Sequence, residues 1–475
     1  MPRADAGKKR GKQRMPRLPH LSEEETVKRR AEAQAKHRQA HKEKHRQQRQ
    51  AQKTRYRAQS REAILERNLE KIRQDRELLK AAAMTANMGL SAAHAACSQL
   101  PALRLGTDFG GLEVPALALR HLKVPFKHVF TSESCAVVQR LGATHSRAEL
   151  VYKDARESPA RDRPDVDVYI AGPPCQDFSV AGQRAGLSGA RGKLFEVCLQ
   201  FVRVRRPVLF IIENVKGLAV LNGGKVLAGI IRALECEGAY DVVCARLNTR
   251  EHGVPQRRPR IYLIGRRRDR ILGSFEIPGR LPPRGIGDVL VPFEASRDQP
   301  QLPPEPQMSS RMIVNWELER LRSTKVRPED EDLVMDVDGS RGWAQKAGTV
   351  APCLLHGRRR GLWLLRRGRR LTLEETARLQ GLEPGDITWN AARGHCFAAL
   401  GNSMSLNVME RLLVAVLPSV GLATGLSDRW AAKAKSATPE EVRPPARSGS
   451  VIWSAEIFDL ADLGASPFRN CRLQG

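Results

Sequence analysis

Four short apolar runs, separated by segments of helical composition, restrict the folds open to this chain of 475 residues. The runs read HVFTSE, DVDVYIAG, PVLFIIEN and RIYLIG, and each is rich in β-branched residues. Continuous apolar runs of this kind are typical of strands that are buried on both faces of a parallel sheet covered by helices. The sequence therefore predicts an α/β fold, in which ligands bind at the carboxyl ends of the strands.

Changes in composition divide the chain into five segments. We predict a basic arm that is helical or disordered (1–85), the main part of an α/β domain (100–280), an inserted smaller domain with little secondary structure (281–370), a return to the first domain (371–420) and a tail (421–475). The arm holds a long run without Gly or Pro, which favours a helix wherever the arm is ordered. Upstream of residue 60 the arm has almost no apolar face, so it is either disordered or ordered by a polyanion.

The charge of the chain indicates a polyanionic partner. It has 80 Lys and Arg against 52 Asp and Glu, a formal net charge of +28. Nucleic acid is the first candidate. A membrane surface is the second, but there is no run of 18 apolar residues, so we expect no membrane partner that requires a spanning helix. The basic runs KKRGKQRMPR and VKRR resemble nuclear localisation signals and predict a nuclear protein, although a solvated basic tail explains them equally well.

The cysteines do not indicate a metal site or a disulfide framework. There are nine, thinly spread, with no Cys-x-x-Cys pair and no Cys/His cluster at zinc spacing. This usage predicts a reducing compartment and no bound metal. We interpret Cys198, Cys236 and Cys244 as core residues because their neighbours are apolar, whereas Cys353 and Cys396 have no assigned role.

Reactive side chains stand where the apolar runs end. Cys175 follows the run DVDVYI in the turn GPPCQ, where neighbouring N–H groups and a downstream helix can stabilise a thiolate. Glu213 ends the run FIIEN and is placed to donate a proton. Gln256, Arg258 and Arg260 alternate up to the start of the run RIYLIG, whose first residue is Arg260. A thiolate, a carboxyl group and paired guanidinium groups together suit attack on a polar heteroaromatic ring.

The motifs themselves point to a known family. GPPCQDFSVAGQRAG, ARGKLF, ENVKG, QRRPR, LTLEETARLQGLEP and LGNSMS follow one another between residues 100 and 420. Their order and spacing resemble the cytosine-C5 methyltransferases, which depend on S-adenosylmethionine. The resemblance implies a Rossmann-like methyltransferase domain, an inserted target-recognition domain at 281–370, and DNA (cytosine-5-)-methyltransferase activity.

The resemblance also implies catalytic roles. Cys175 would attack C6 of cytosine, which makes C5 a nucleophile, and Glu213 would hold N3 and N4 and protonate the ring. Arg258 and Arg260 would contact O2 and brace the Cys175–Glu213 pair, while Asn214 would shape the loop together with Gln176. The base must be flipped out of the helix, because C6 of a stacked base is out of reach. The implied catalytic set is Cys175, Glu213, Asn214, Gln256, Arg258 and Arg260.

For S-adenosylmethionine the family pattern implies contacts at the ends of three strands. Phe109 and Gly111 in GTDFGGLEVP would receive the methionine end, Glu133 the ribose and Asp154 the adenine. The other implied contacts are Pro174, Leu194 and Asn402.

This cofactor region also departs from the family pattern. Asp108 directly precedes Phe109, whereas the usual acid stands two residues before the Phe, and LEVP replaces the second glycine pair. Cys135 stands where Asp or Asn is typical, and Gly189 where an acid is typical.

The implied partner is double-stranded DNA. Ser179 and Arg191 would contact the backbone near the flipped nucleotide, and Arg358, Arg359 and Arg360 in the inserted domain would contact phosphate or guanine. An RNA substrate is the alternative, because ENVKG and GNS followed by LNV also resemble the tRNA-methylating branch, which usually has Thr in place of Ser179. A third interpretation is that the chain is a relative that binds nucleic acid without catalytic activity. The oligomeric state is not readable from the sequence.

Overall fold

A seven-stranded sheet forms the centre of the protein in the computed structural model, which describes residues 101–174, 192–324, 326–339 and 346–436. The strands are β1 (Leu103–Asp108), β2 (Phe126–Ser132), β3 (Leu150–Tyr152), β4 (Val168–Ala171), β5 (Leu209–Val215), β6 (Tyr240–Asn248) and β7 (Pro259–Arg267). Their order across the sheet is β3-β2-β1-β4-β5-β7-β6. The pairs from β3 to β5 are all parallel.

Helices connect the strands and follow them. Those of the first half are α1 (Val114–His121), α2 (Ala136–Gly142), α3 (Gly192–Arg205), α4 (Gly217–Val220) and α5 (Lys225–Leu234). Those of the second half are α6 (Met308–Arg322), α7 (Leu373–Arg378), α8 (Arg393–Asn402), α9 (Leu406–Val416) and α10 (Arg429–Ser436).

Alternate residues of the central strands face two different hydrophobic clusters. In β4, Val168 and Ile170 join the cluster formed with α1 and α9, whereas Tyr169 and Ala171 join the cluster formed with α3 and α5. All four side chains are fully buried. The sheet is therefore covered on both faces, which explains the continuous apolar runs and confirms the predicted α/β, Rossmann-like class.

Strand β7 departs from the expected parallel arrangement. It pairs antiparallel with both β5 and β6, and the β6–β7 ladder already begins with Asn248 opposite Pro259. A parallel pair needs a crossover of a dozen residues or more, usually a helix, and the short connection here is too brief for one. As a consequence, the first residues of β7 lie beside the carboxyl end of β5.

The segment 281–370 is more ordered than the sequence predicts. It contains α6 and, in a three-stranded antiparallel sheet, β8 (Val334–Met335), β9 (Trp363–Leu364) and β10 (Arg369–Arg370). Two hydrophobic clusters are centred on it, and one of them includes Leu364 while the other includes Trp363. Its role as a target-recognition domain stays a prediction, as do the other segment boundaries.

Helix α7 begins with a capping box. The hydroxyl of Thr372 accepts a hydrogen bond from the backbone N–H of Glu375 at 3.1 Å, and the Glu375 carboxylate accepts one from the backbone N–H of Thr372 at 2.8 Å. The reciprocal pair satisfies two N–H groups that a helix start otherwise leaves without acceptors.

Two stretches of the described chain have the length and composition of a membrane span, Gly217–Leu234 and Arg393–Val420. Each is broken into shorter helices, the first where Asn222 and Gly223 leave the helical conformation. In the second stretch, 83% of the most apolar part is buried inside the protein. Such burial is what helices of a protein core show.

Candidate active site

The carboxyl end of β5 and the start of β7 bring a carboxylate and a guanidinium together. Val215 pairs with Arg260 in the antiparallel ladder, so the side chains of Arg260 and Glu213 reach each other. Arg260 Nε lies 2.9 Å from Glu213 Oε1, and both side chains are largely buried. Sequence spacing predicted both residues, and the antiparallel strand is what makes them an ion pair.

The turn that leads to Cys175 lies beside this pair. Asn214 Nδ2 donates a hydrogen bond of 3.3 Å to the carbonyl of Pro173, which follows β4. Asn214 thus ties the end of β5 to the residues that precede Cys175, and its role in shaping the loop stays a prediction. Four predicted site residues lie outside the described residues: Cys175, Gln176, Ser179 and Arg191.

Arg258 is placed differently from the expectation that it contacts the base. Its side chain is fully buried, and its terminal nitrogens donate to the carbonyls of Leu354 and Gly401, both at 3.1 Å, and of Ser403 at 2.6 Å. A guanidinium whose terminal nitrogens serve three backbone carbonyls fixes loops rather than a ligand. The contact to O2 expected of Arg258 and Arg260 stays a prediction, and Arg258 uses its terminal nitrogens elsewhere.

Gln256 is likewise a buried connector. Its amide nitrogen donates to the carbonyl of Leu379 at 2.6 Å, and its oxygen accepts from the backbone N–H of Leu354 at 3.0 Å. It has no exposed surface. Gln256 thereby joins the start of β7 to the segment after the inserted region, which is a positioning role.

Cys353 lies in the site, although the sequence gave it no role. Its sulfur is 3.6 Å from Arg258 Nη1 and 3.8 Å from Arg260 Nη2. Burial alone would raise the pKa of the thiol, but the two guanidinium groups lower it below its ordinary value. The described residues thus place a thiol of lowered pKa beside the Glu213–Arg260 pair. The one sequence signal for this role of Cys353 is the motif QRRPR, which supplies the two arginines that the thiol approaches.

The loop after β1 and the end of β2 form the predicted cofactor edge. Glu133 accepts hydrogen bonds from the backbone N–H groups of Gly111 at 3.2 Å and of Cys135 at 2.8 Å. Burial raises the pKa of Glu133, and these bonds only partly offset that effect. Phe109 and Gly111 are both in the left-handed region, and a Cβ added to Gly111 would meet no atom within 4 Å. The loop therefore faces open space beside a carboxylate, which fits a ligand with ribose hydroxyl groups.

The remaining predicted cofactor residues are more dispersed. Asp154 follows β3 and binds Arg156, with Oδ2 2.6 Å from Nη2, and this hydrogen bond lowers the pKa of Asp154. Asn402 ends α8 and is exposed, with its amide nitrogen 3.1 Å from His356 Nδ1. Pro174 and Leu194 are half-buried, and residues 175–191 between them lie outside the described residues. The structure brings Phe109, Gly111 and Glu133 together, while the other assignments stay predictions.

These features correspond to a known family. The family model described as "C-5 cytosine-specific DNA methylase" matches residues 109–417. The chain belongs to this family. The motif resemblance is thereby confirmed, and the matched residues include the cofactor edge, the Glu213–Arg260 pair and the inserted region.

Individual members of the family differ in how much of their length is matched. The chain is 30% identical to the type II methyltransferase M.HaeII of Haemophilus aegyptius over 304 residues, covering 63% of this chain and 88% of that one. It is 32% identical to M.NgoBI of Neisseria gonorrhoeae over 260 residues, covering 52% and 73%. It is 32% identical to M.FnuDI of Fusobacterium nucleatum over 176 residues, covering 37% and 49%. The chain thus spans about half the length of several of its relatives.

In this C-5 cytosine methylase chain, the predicted arginine cluster is partly structural. Arg358 Nε donates to Asp336 at 2.6 Å, whereas Arg359 and Arg360 are exposed. Arginines further along the cluster form ion pairs within the inserted region: Arg367 with Asp332, Arg369 with Asp298, and Arg370 with Asp338. Arg359 and Arg360 are therefore the members of the predicted triplet that are free of such a carboxylate pair in the described part and accessible to nucleic acid.

No metal centre is evident in the portion of the chain that the structure describes. It holds no group of three or more His, Cys, Asp or Glu side chains arranged to bind a metal ion.

A buried ion pair fixes the end of β1, directly before the loop Phe109–Gly111 of this methylase. Arg163 Nη1 lies 2.7 Å from Asp108 Oδ2, and both side chains are almost fully buried. Asp108 also accepts from Ser132 Oγ at 2.6 Å and from the Tyr169 hydroxyl at 2.7 Å. Burial raises the pKa of Asp108, and Arg163 offsets this only in part. The displaced acid of the altered motif is therefore a structural anchor.

Replacing Arg163 by Ala is expected to lower the free energy of unfolding by about 3–5 kcal/mol, because it leaves the Asp108 charge buried without its partner. Urea unfolding followed by circular dichroism measures the loss. Arg161→Ala is the matched control, since that side chain is 79% exposed and its removal should change stability by no more than about 0.5 kcal/mol. Equal effects of the two substitutions would contradict the anchoring role.

Proposed function

We propose that this chain is a DNA (cytosine-5-)-methyltransferase that transfers a methyl group from S-adenosylmethionine to C5 of cytosine in double-stranded DNA. The observation that carries the proposal is the buried Glu213–Arg260 pair, 2.9 Å between Oε1 and Nε, beside the turn that leads to Cys175. Family membership adds support, since the matched residues include all of these positions.

The chemistry of the proposal starts from the thiolate of Cys175. Its sulfur forms a bond to C6 of the ring, and the electron pair of the C5–C6 double bond moves towards C5. Glu213 donates a proton to N3, which keeps negative charge from accumulating on the ring. Arg260 holds Glu213 in place and stabilises O2. The addition makes C5 nucleophilic enough to accept a methyl group. Loss of the C5 proton to water or a basic group would then expel the Cys175 thiolate from C6 and restore the C5–C6 double bond, and N3 would return its proton to Glu213.

The residues at the cofactor edge fit S-adenosylmethionine, which supplies an electrophilic methyl group when bound. Glu133 would bind the ribose hydroxyls, since its carboxylate already lies against the glycine loop. Phe109 and Gly111 would border the methionine end, and Asp154 the adenine. Pro174, Leu194 and Asn402 are proposed to complete the pocket.

Access to C6 requires that the cytosine leave the base stack, so we propose base flipping as part of the reaction. Ser179 and Arg191 would stabilise the flipped nucleotide through its phosphates, and the exposed Arg359 and Arg360 would contact the duplex. Arg358 would contribute by holding this segment through Asp336. Nuclear localisation and the nucleic-acid affinity of residues 1–85 stay predictions, because that arm lies outside the described residues.

Labelled S-adenosylmethionine tests the substrate directly. We expect label to enter duplex DNA, and bisulfite sequencing of the product should find methylated cytosines in a defined sequence context. Label that enters tRNA alone would replace DNA by RNA as the substrate. If neither polymer is labelled although both bind, the chain is a silent relative and the proposal fails.

A further inference from the structure

Glu113 occupies the position where LEVP replaces the second glycine pair of the family pattern, and its side chain lies under the cofactor loop. The residue precedes α1 with φ 53°, in the left-handed region, and is 4% exposed. Its carboxylate accepts hydrogen bonds from the hydroxyl of Thr107 at 3.0 Å and from the hydroxyl of Thr131. One acidic side chain therefore joins the end of β1 to the end of β2.

The loop and this carboxyl group fit against each other closely. A Cβ placed on Gly110 would lie 2.1 Å from Glu113 Oε1, and one placed on Gly142 of α2 would lie 3.0 Å from Glu113 Cγ. The backbone N–H of Glu113 also donates to the carbonyl of Gly110 at 2.9 Å. The space left by two glycines is thus filled by Glu113, and the shape of the Phe109–Gly111 loop depends on it.

The charges around Glu113 do not compensate its own. His128 Nε2 lies 3.7 Å from Glu113 Oε2, but burial lowers the pKa of this histidine to about 4. The imidazole ring is therefore uncharged near pH 7. Burial likewise lowers the pKa of His145, which contacts the neighbouring carbonyl of Leu112. Asp108 and Glu133 are acids. Burial, with a smaller effect of Asp108, raises the pKa of Glu113 to about 7.

A directed chain of hydrogen bonds follows from these partners. When Glu113 is ionised, the Thr107 hydroxyl donates to it and accepts from His128 Nε2, which is 3.1 Å away. The other histidine nitrogen, Nδ1, then accepts from Ser146 Oγ at 2.8 Å. When Glu113 is protonated, one of its oxygens becomes a donor, and one of the two threonine hydroxyls loses its acceptor.

We propose that Glu113 is a positioning residue that holds the Phe109–Gly111 loop in the shape that binds S-adenosylmethionine, and that the gain or loss of its proton changes cofactor affinity. This inference rests on the proposed function. The link to the ligand is Gly111, whose N–H binds Glu133, the residue proposed for the ribose. Affinity is strongest with Glu113 ionised and falls as the pH falls through about 7, where that carboxyl takes up its proton.

Binding of S-adenosylhomocysteine to the full chain, measured by calorimetry from pH 6 to pH 8.5, tests the proposal. The wild type is expected to bind about three- to tenfold more weakly at pH 6 than at pH 8.5, the effect of losing one hydrogen bond. Glu113→Gln, which offers a single acceptor oxygen at every pH, should bind at the weak level throughout. Glu319→Gln on α6, an exposed site 72% accessible, should behave as the wild type. An unaltered pH dependence in Glu113→Gln overturns the proposal and assigns the titration to another group, with Glu133 the first candidate.

Hydrogen exchange without any ligand separates this proposal from the function it rests on. The backbone amides of residues 109–114 should exchange faster in Glu113→Gln than in the wild type or in Glu319→Gln at pH 8. Equal exchange in all three overturns the positioning role, even if the wild type methylates DNA. Wild-type protein that shows the exchange difference but binds no S-adenosylhomocysteine at any pH rejects the proposed function and the claim on cofactor affinity with it.

Discussion

Cys175→Ala is expected to lower methyl transfer by at least about 10⁴-fold, because removal of a catalytic nucleophile leaves only binding and electrostatic contributions. The same substitution should abolish the covalent complex with a duplex that carries 5-fluorocytosine, since that complex needs the bond from sulfur to C6. Transfer is measured with labelled S-adenosylmethionine, and the covalent complex is detected by its altered migration in a denaturing gel.

Cys353 provides the decisive comparison. It is the thiol that the described residues place beside Arg258 and Arg260, with its pKa lowered by them, so on chemical grounds it is the alternative nucleophile. We expect Cys353→Ala to keep the covalent complex that Cys175→Ala loses. The reverse result, a complex that survives in Cys175→Ala and disappears in Cys353→Ala, would transfer the role of nucleophile to Cys353.

The sequence located the site through local patterns. Buried strands of an α/β sheet end at a common edge, so a motif that follows an apolar run lies near the others whatever the connecting loops do. This reasoning predicts Cys175 and Glu213 at that edge, whereas Arg260, at the start of its strand, meets Glu213 because β7 runs antiparallel. The capping box of Thr372 and Glu375 was predictable for the same reason, since its two partners are three residues apart.

Features that depend on distant partners were not predictable. Arg163 and Asp108 are 55 positions apart, and nothing in the sequence around Arg163 distinguishes it from the many exposed arginines. Arg258 fits its motif, but its burial is decided by carbonyls that lie in the return segment. A polar residue in a motif can face a ligand or support the backbone, and only its neighbours in space decide between them.

The altered loop after β1 also depends on contacts with residues that are distant in the sequence. The sequence identified LEVP as a departure from the family pattern, but it did not show which residues would satisfy the buried carboxylate of Glu113. Thr107 and Thr131 do so from two different strands, through hydroxyl groups that donate to Glu113. Strand direction was a further limit, since apolar composition does not distinguish the antiparallel β7 from its parallel neighbours.

Glu213→Gln is expected to reduce kcat by about 10²- to 10⁴-fold, the usual contribution of a positioned acid. The amide keeps the shape of the side chain but cannot give a proton to N3, and it removes the negative charge that Arg260 faces at 2.9 Å. Binding of S-adenosylhomocysteine should be unchanged. Asp241→Asn is the matched control, because Asp241 forms an ion pair with Arg266 near the opposite end of the β6–β7 ladder.

A second substitution distinguishes proton donation from a merely structural pair. If Glu213 and Arg260 act as one unit, Arg260→Met should slow the wild type severely but should slow Glu213→Gln by much less, because the unit is already broken. Thermal unfolding of all variants separates this from loss of fold, since Arg260 is 13% exposed and loses the Glu213 carboxylate in the Glu213→Gln protein. Effects on kcat that multiply independently would show that Glu213 and Arg260 do not act as one unit. A Glu213→Gln enzyme as fast as Asp241→Asn would leave Glu213 only a structural contact between β5 and β7.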